Sequence, residues 1–218
     1  RAERLAKDIS GWSEDLFGEL NAEPTAFDGY DVLKETAKVL ALSDGEELND
    51  AVSTDYEERE NVLVVLDRTP FYAEMGGQVA DHGYLTSGTA NLKVNQVKKT
   101  PKGFYVHTCT LLDGTIRVGD TVTAAVDEKR RASICRNHTA THLLQKALRE
   151  HVHQAGSYQD DKITRFDFTH FNAVTPEELV EVEKRVNEKI FAALPVTIQN
   201  LPIEEAKKMG AMALFGEK

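Results

Sequence analysis

Two histidines four residues apart are the residues of this sequence best suited to chemistry. His138 and His142 lie in a segment that predicts a helix, and this separation puts both side chains on one helix face. Neutral imidazole is a common zinc ligand, so the pair could supply half of a tetrahedral site. The spacing also occurs by chance in many helices. A metallopeptidase would need a glutamate after the first histidine, where this chain has Thr139.

Cys135 lies on the same predicted helix face, three residues before His138. About 10 Å of helix separates it from His142, which is too far for two short side chains to share one ion. We therefore expect Cys135 to be a small buried hydrophobe and not a third ligand.

A pair of glycines follows a predicted strand. Gly76 and Gly77 precede Gln78, and paired glycines allow unusual backbone conformations and the close approach of another backbone or a ligand. A tight turn of a barrel and a ligand-binding loop both fit this run. It is not a phosphate-binding P-loop, because no Gly-Lys-Ser or Gly-Lys-Thr follows.

The loop after the predicted helix carries Gln154, with His151 and His153 close by. A glutamine amide is neutral and cannot be a general base, but it can orient water or substrate. Loop histidines are usually exposed, so His151 and His153 are weaker candidates for metal ligands than the pair on the helix.

The composition limits the partners. The 218 residues carry a formal net charge of −10, which argues against indiscriminate binding to a phosphate backbone. A basic cluster remains, and it is either ordinary surface or a nucleic-acid contact: Lys129, Arg130, Arg131 and Arg136. No apolar run reaches the roughly 18 residues of a membrane span. Two cysteines are too few for a disulfide scaffold, so we expect a cytoplasmic protein without a membrane partner.

The elements around these residues predict an α+β fold. Hydrophobic spacing predicts helices over about 1–20 and 31–42, and glycine-punctuated short strands at 62–66, 91–97 and 104–112 indicate a small β-barrel or sandwich. A long helix is predicted from Asp127 to about residue 150, followed by a strand at 163–171, a helix at 176–193, a strand at 196–201 and a helix at 203–209. The predicted parts are a helical segment (1–24), a barrel (25–127) and an α+β domain (128–218).

Four segments together resemble the alanyl-tRNA synthetase family. They read RTPFYAEMGGQ at 68–78, NHTATHLL at 137–144, RFDFTHF at 165–171 and GAMALFGEK at 210–218. Each motif is moderately specific, and four of them in the family's order are highly specific. The resemblance is strong over residues 60–218 and looser before them.

The resemblance implies an activity and its cofactors. Members of the family use ATP and Mg²⁺ to attach alanine to tRNA, and their editing domain hydrolyses seryl- and glycyl-tRNA made in error. No ATP-binding motif is visible in the chain, so the aminoacylation region is expected in another part of the enzyme. The family's zinc is held by two His, one Cys and a further His. The resemblance makes His138 and His142 the first two ligands, and the Cys-x-x-x-His pair is expected beyond Lys218. We therefore expect a truncated editing domain with an incomplete zinc site.

The resemblance also assigns the remaining site residues. Gln154 corresponds to a pocket glutamine that positions substrate or water, and Thr139 to a position that recognises the serine hydroxyl. The resemblance places the Gly76, Gly77 and Gln78 loop between the barrel and the editing core. We expect this loop and Arg136 to contact the substrate or the acceptor end of tRNA(Ala), and we expect no DNA partner.

Two other interpretations stay open from the sequence. A free-standing editing hydrolase of the AlaX type shares the barrel and the editing core, although the predicted helix before the barrel argues against it. A non-catalytic RNA-binding module with structural histidines is the alternative from a different class.

Overall fold

The computed structural model describes residues 14–18, 20–54, 57–148, 152–170, 172–197, 199 and 201–210. The strands in this part of the chain are β1 (Ala26–Phe27), β2 (Lys34–Ser43), β3 (Leu48–Asn49), β4 (Ala51–Thr54), β5 (Arg59–Leu66), β6 (Arg68–Thr69), β7 (Gly83–Thr86), β8 (Ala90–Lys99), β9 (Tyr105–Arg117), β10 (Thr121–Val126), β11 (His153–Gln159) and β12 (Thr164–Thr169). The helices are a 3₁₀ turn (Glu14–Phe17), α1 (Glu128–Leu148), α2 (Pro176–Phe191) and α3 (Ile203–Lys208).

Six antiparallel strands close into a barrel, in the order β10, β7, β8, β9, β5 and β2, with β2 pairing again with β10. Closure removes the exposed sheet edges that an open sheet would leave. Alternate residues of β8 point inward: Ala90, Leu92 and Val94 are buried. The barrel and the α+β class that the sequence predicted are confirmed.

The continuous apolar run of β5 has a simple cause. Val62 and Val64 face the barrel core, whereas Leu63 and Val65 pack outside the barrel against a second cluster that contains Phe17. The 3₁₀ turn therefore covers the outer face of β5, so both faces of this strand are buried. Residues 1–13, most of the predicted N-terminal helix, lie outside the described residues, and residues 14–17 form only this turn.

The helix predicted at residues 31–42 is wrong, because this segment contains most of β2. Its Lys, Glu, Ala and Leu residues favour a helix locally, but the strand places Ala37 and Val39 in the barrel core. Pairing with both β10 and β5 closes the barrel here. Tertiary pairing thus outweighs local helix propensity.

After the barrel, α1 packs against the antiparallel hairpin of β11 and β12 and against α2. α2 begins as the sequence predicted, with the Thr175 hydroxyl accepting from the Glu178 N–H and the Glu178 carboxylate accepting from the Thr175 N–H. The strand predicted at 196–201 is absent from the described part of that segment. The domain boundaries stay predictions. Among the described residues, no helix is long and apolar enough to cross a membrane.

Candidate functional site

Arg131 fixes the histidine-bearing helix to the barrel. Its guanidinium forms a salt bridge with Asp81 and donates to the carbonyl oxygens of Gly29 at 2.7 Å and Pro70 at 2.9 Å. Asp81 is only 1% exposed. Arg131 therefore serves neither as ordinary surface nor as a nucleic-acid contact, the two interpretations that the sequence left for its cluster.

Two further contacts set the start of α1. The Arg130 N–H donates to the Asp127 carboxylate at 3.0 Å, so Asp127 is the N-cap that the sequence predicted. The Arg130 guanidinium also donates to the Ala80 carbonyl at 2.7 Å. Because α1 starts rigidly on the barrel loop at 80–81, the position of its later turns relative to that loop is fixed.

The glycine pair forms a tight turn that docks on the second part of the chain. Gly76 and Gly77 have φ of +62° and +84°, and Met75 and Gln78 exchange backbone hydrogen bonds across them. The Gly77 carbonyl then accepts from the Gln159 N–H at 2.8 Å. A Cβ at residue 77 would lie 2.6 Å from the Ser157 Oγ. Only glycine fits this close approach of the barrel turn to β11.

The docked turn places Gln78 against the histidine pair. The Gln78 Oε1 lies 2.6 Å from the His138 Nδ1, and Gln78 is buried with 6% exposure. The rings of His138 and His142 are 5.0 Å apart between centroids and nearly parallel, at 14°. The helix therefore puts both imidazoles on one face, as their spacing predicted.

Burial, and secondly the neighbouring His142, lower the pKa of His138 below its ordinary value. A lowered pKa keeps the imidazole neutral at physiological pH, which is the form that binds metal. His138 is half-buried, whereas His142 is exposed, so the pair opens towards solvent on the His142 side.

Beside the pair, α1 meets the hairpin through polar side chains. The Thr141 Oγ1 lies 3.1 Å from the Thr164 Oγ1, and the Gln145 amide donates to the Gln154 Oε1 at 3.1 Å. A helix packed on a sheet normally buries an apolar stripe. α1 is therefore held to the hairpin here by side-chain hydrogen bonds as well as by apolar packing.

The comparisons with known proteins identify the family. Residues 3–130, more than half of the chain, match the family model for class II tRNA synthetases (A). Alanine–tRNA ligase of Acetivibrio thermocellus is 47% identical over 223 residues, with 100% of this chain and 25% of the relative aligned. The Bacillus subtilis ligase is 48% identical over 199 residues, covering 89% of this chain and 22% of the relative.

The chain belongs to the alanyl-tRNA synthetase family. It spans about a quarter of the length of the curated relatives that it matches. The family model ends at residue 130, just before the histidine pair, whereas the Acetivibrio relative aligns with the whole chain. The resemblance of the chain to this family is thus confirmed.

The zinc that the alanyl-tRNA synthetase family implies can be tested against the histidine pair. Zinc about 2 Å from each nitrogen in a tetrahedral site would separate two ring centroids by about 5 Å, which agrees with the 5.0 Å observed. A shared ion also requires the free nitrogens of these nearly parallel rings to turn towards one point. No cluster of three or more possible ligands occurs among the described residues. The spacing of the two rings therefore agrees with two ligands of a zinc site, and the described residues supply no third.

The other predicted site residues have different surroundings. Gln154 faces α1 through its bond to Gln145. Thr139 is exposed on α1, and Arg136 is exposed with its guanidinium bonded to the Ser133 hydroxyl at 2.9 Å. Cys135 is exposed, so the prediction that it is buried is wrong. It lies on the solvent side because α1 buries Arg131, Ile134, Thr141 and Leu148 instead.

Sequence reasoning missed the polar interface, although a signal was present. Asn137, Thr141 and Gln145 recur every four residues, the spacing at which a buried helix stripe is normally apolar. Gln159 was missed too. It is 1% exposed, and both polar atoms of its amide lack a hydrogen-bond partner within the described structure.

Proposed function

We propose that this chain is the barrel and editing region of an alanine–tRNA ligase, and that it hydrolyses seryl- and glycyl-tRNA made in error. The observation that carries the proposal is the His138 and His142 pair on α1, held against the barrel by Gln78 beside a polar helix–hairpin interface. Attachment of alanine with ATP and Mg²⁺ belongs to other parts of the longer enzyme.

The hydrolysis corrects errors that arise because alanine is hard to distinguish from glycine and serine. A pocket built for alanine cannot exclude the smaller glycine, and it rejects the added hydroxyl of serine poorly. Differences of one small group separate substrates by only about 10- to 200-fold, so a second, hydrolytic site is needed. Water attacks the carbonyl carbon of the ester, the bond to the tRNA ribose oxygen breaks, and that oxygen takes up the proton that the water releases.

The residues would divide the work by their chemistry. The amide oxygen of Gln154 accepts a hydrogen bond from Gln145. Its N–H groups can therefore donate to the substrate or to the attacking water. The exposed side chain of Thr139 lies one position from His138 and would meet the serine hydroxyl. Zinc held by His138 and His142, when bound, would orient the substrate or polarise the attacking water.

The tRNA would approach from the exposed side of the pair. Arg136 lies on the exposed surface of α1 and would contact a phosphate of the acceptor end, and the turn at Gly76 and Gly77 would border the terminal ribose. We also propose a cytoplasmic location, because the free thiols of Cys109 and Cys135 suit a reducing compartment.

Deacylation of seryl-tRNA(Ala) tests the proposal. The protein would be the longer ligase that includes this chain and the expected Cys-x-x-x-His segment, compared with its His142→Ala variant. We expect rapid hydrolysis by the former and loss of both hydrolysis and bound zinc in the latter. Lys146→Ala, on an exposed position one turn after His142, is the matched control and should hydrolyse normally.

Failure of the zinc-loaded wild-type protein to hydrolyse seryl- and glycyl-tRNA would refute the editing function. Salt-sensitive binding of tRNA without hydrolysis would then support the RNA-binding module. The free-standing hydrolase is less favoured, because the relatives that align with the whole chain are ligases.

A further inference from the structure

The Gln78 amide contacts one ring nitrogen of His138, the Nδ1. The distance from the Gln78 Oε1 to the His138 Nδ1 is 2.6 Å. With the amide oxygen of Gln78 facing the ring, Nδ1 is the donor and carries the proton, because a carbonyl-type oxygen only accepts. The lone pair of a neutral imidazole then lies on Nε2, the nitrogen that remains to bind a ligand.

The backbone around Gln78 is fixed at both ends. Its N–H donates to the Met75 carbonyl at 3.1 Å, and the following residue, Val79, donates to the Gln159 carbonyl at 3.1 Å. Because the turn is thus hydrogen-bonded on both sides of Gln78 and the side chain is buried, its amide reaches His138 from one direction. This geometry suits orientation of the imidazole more than contact with a solvent-borne substrate.

We propose that Gln78 is a positioning residue for the zinc site: a barrel residue that holds His138 in the Nδ1–H tautomer and so leaves the lone pair of Nε2 to bind the metal. The inference rests on the metal role given to His138 under the proposed function. It replaces the expectation that Gln78 contacts substrate or tRNA. The close docking of Gly77 on Ser157 would serve the same role, because that contact fixes the distance between Gln78 and His138.

The tautomer of His138 is the direct test, and it does not depend on activity. Two-bond ¹H–¹⁵N spectra of the 218-residue chain at pH 8 would compare wild type, Gln78→Met and Gln78→Glu. We expect the Nδ1–H tautomer in the wild type and in Gln78→Glu, and a mixture in Gln78→Met. Methionine has a similar length, but its thioether sulfur is only a weak hydrogen-bond acceptor. Hydrogen-exchange protection of the Gln159 amide reports whether the turn stays docked.

Zinc affinity of the longer ligase, measured by competition with a chelator, is the second readout. We expect Gln78→Met to weaken zinc binding by about 10- to 100-fold, the usual effect of losing a group that orients a metal-binding histidine. Gln78→Glu should bind zinc at least as tightly as the wild type. Gln96→Leu removes another hydrogen-bonding barrel glutamine, bonded to Glu74, and should change neither readout.

A wild-type Nε2–H tautomer, or unchanged tautomer and zinc affinity in Gln78→Met, would overturn the proposal. Undocking of the turn in Gln78→Met with full recovery in Gln78→Glu would still support it, since only the acceptor was restored. A wild-type ligase without bound zinc would refute the metal role under the proposed function, and the positioning role toward zinc with it.

Discussion

Acidification should destabilise the barrel through one buried histidine. His107 has no exposed surface, and its Nδ1 lies 3.0 Å from the Val64 carbonyl, so Nδ1 is the protonated nitrogen. Nε2 then accepts from the Thr69 hydroxyl at 2.8 Å, which in turn accepts from the Phe71 N–H at 3.2 Å. This chain of bonds is complete only when His107 is neutral, and it holds the segment that leads to the Gly76 turn.

Burial lowers the pKa of His107 from 6.5 to about 4, although its bond to the Val64 carbonyl acts in the opposite direction. The unfolded chain therefore takes up a proton below pH 6.5, whereas the folded chain does so only near pH 4. Stability is complete above pH 6.5 and falls as the pH drops to about 4. At about 1.4 kcal/mol per pH unit, the loss between pH 7.5 and 4.5 is about 2.5 kcal/mol.

Urea unfolding of the wild type and of His107→Gln at several pH values would measure this loss. The variant is less stable at pH 7.5, but its position no longer titrates. Other groups titrate alike in both proteins, so their difference in free energy of unfolding should shrink by about 2.5 kcal/mol at pH 4.5. A difference that stays constant over this range would refute the reasoning.

Two further variants test buried and half-buried charges. Asp81→Ala should lower the free energy of unfolding by about 3–5 kcal/mol, because the buried guanidinium of Arg131 loses its counter-ion. In urea unfolding, the double variant Asp81→Ala/Arg131→Met should lose less free energy of unfolding than the two single variants together, and additive losses would contradict this. Burial, and secondly Asp28, raise the pKa of Glu35 to about 7, so its ionisation costs stability as the pH rises from 4.5 towards 7. Glu35→Gln should therefore stabilise the protein at pH 8 by on the order of 1 kcal/mol, the size that solvent screening leaves, and so raise its melting temperature. The gain should be small at pH 4, and an equal gain at both pH values would exclude this cause.

Local sequence patterns predicted correctly those features that depend only on residues close together in sequence. The cap at Asp127, the capping box at Thr175 and the facing of His138 and His142 depend on residues within one or two helical turns. The glycine pair could also be read as a turn from the sequence, since its conformation is set by the residues themselves.

The family, the α+β class and the histidine pair could all be predicted from the residues in their order along the chain. Which distant residues meet depends on the folded barrel and hairpin. The tertiary structure made residues 34–43 a strand through pairing across the barrel, turned Arg131 from apparent surface into a buried anchor, and brought Gln78 to His138 across 60 residues of chain. Each of these depends on contacts between residues far apart in sequence. The free energy of such contacts exceeds that of local secondary-structure propensity, and the pattern within one segment does not predict them.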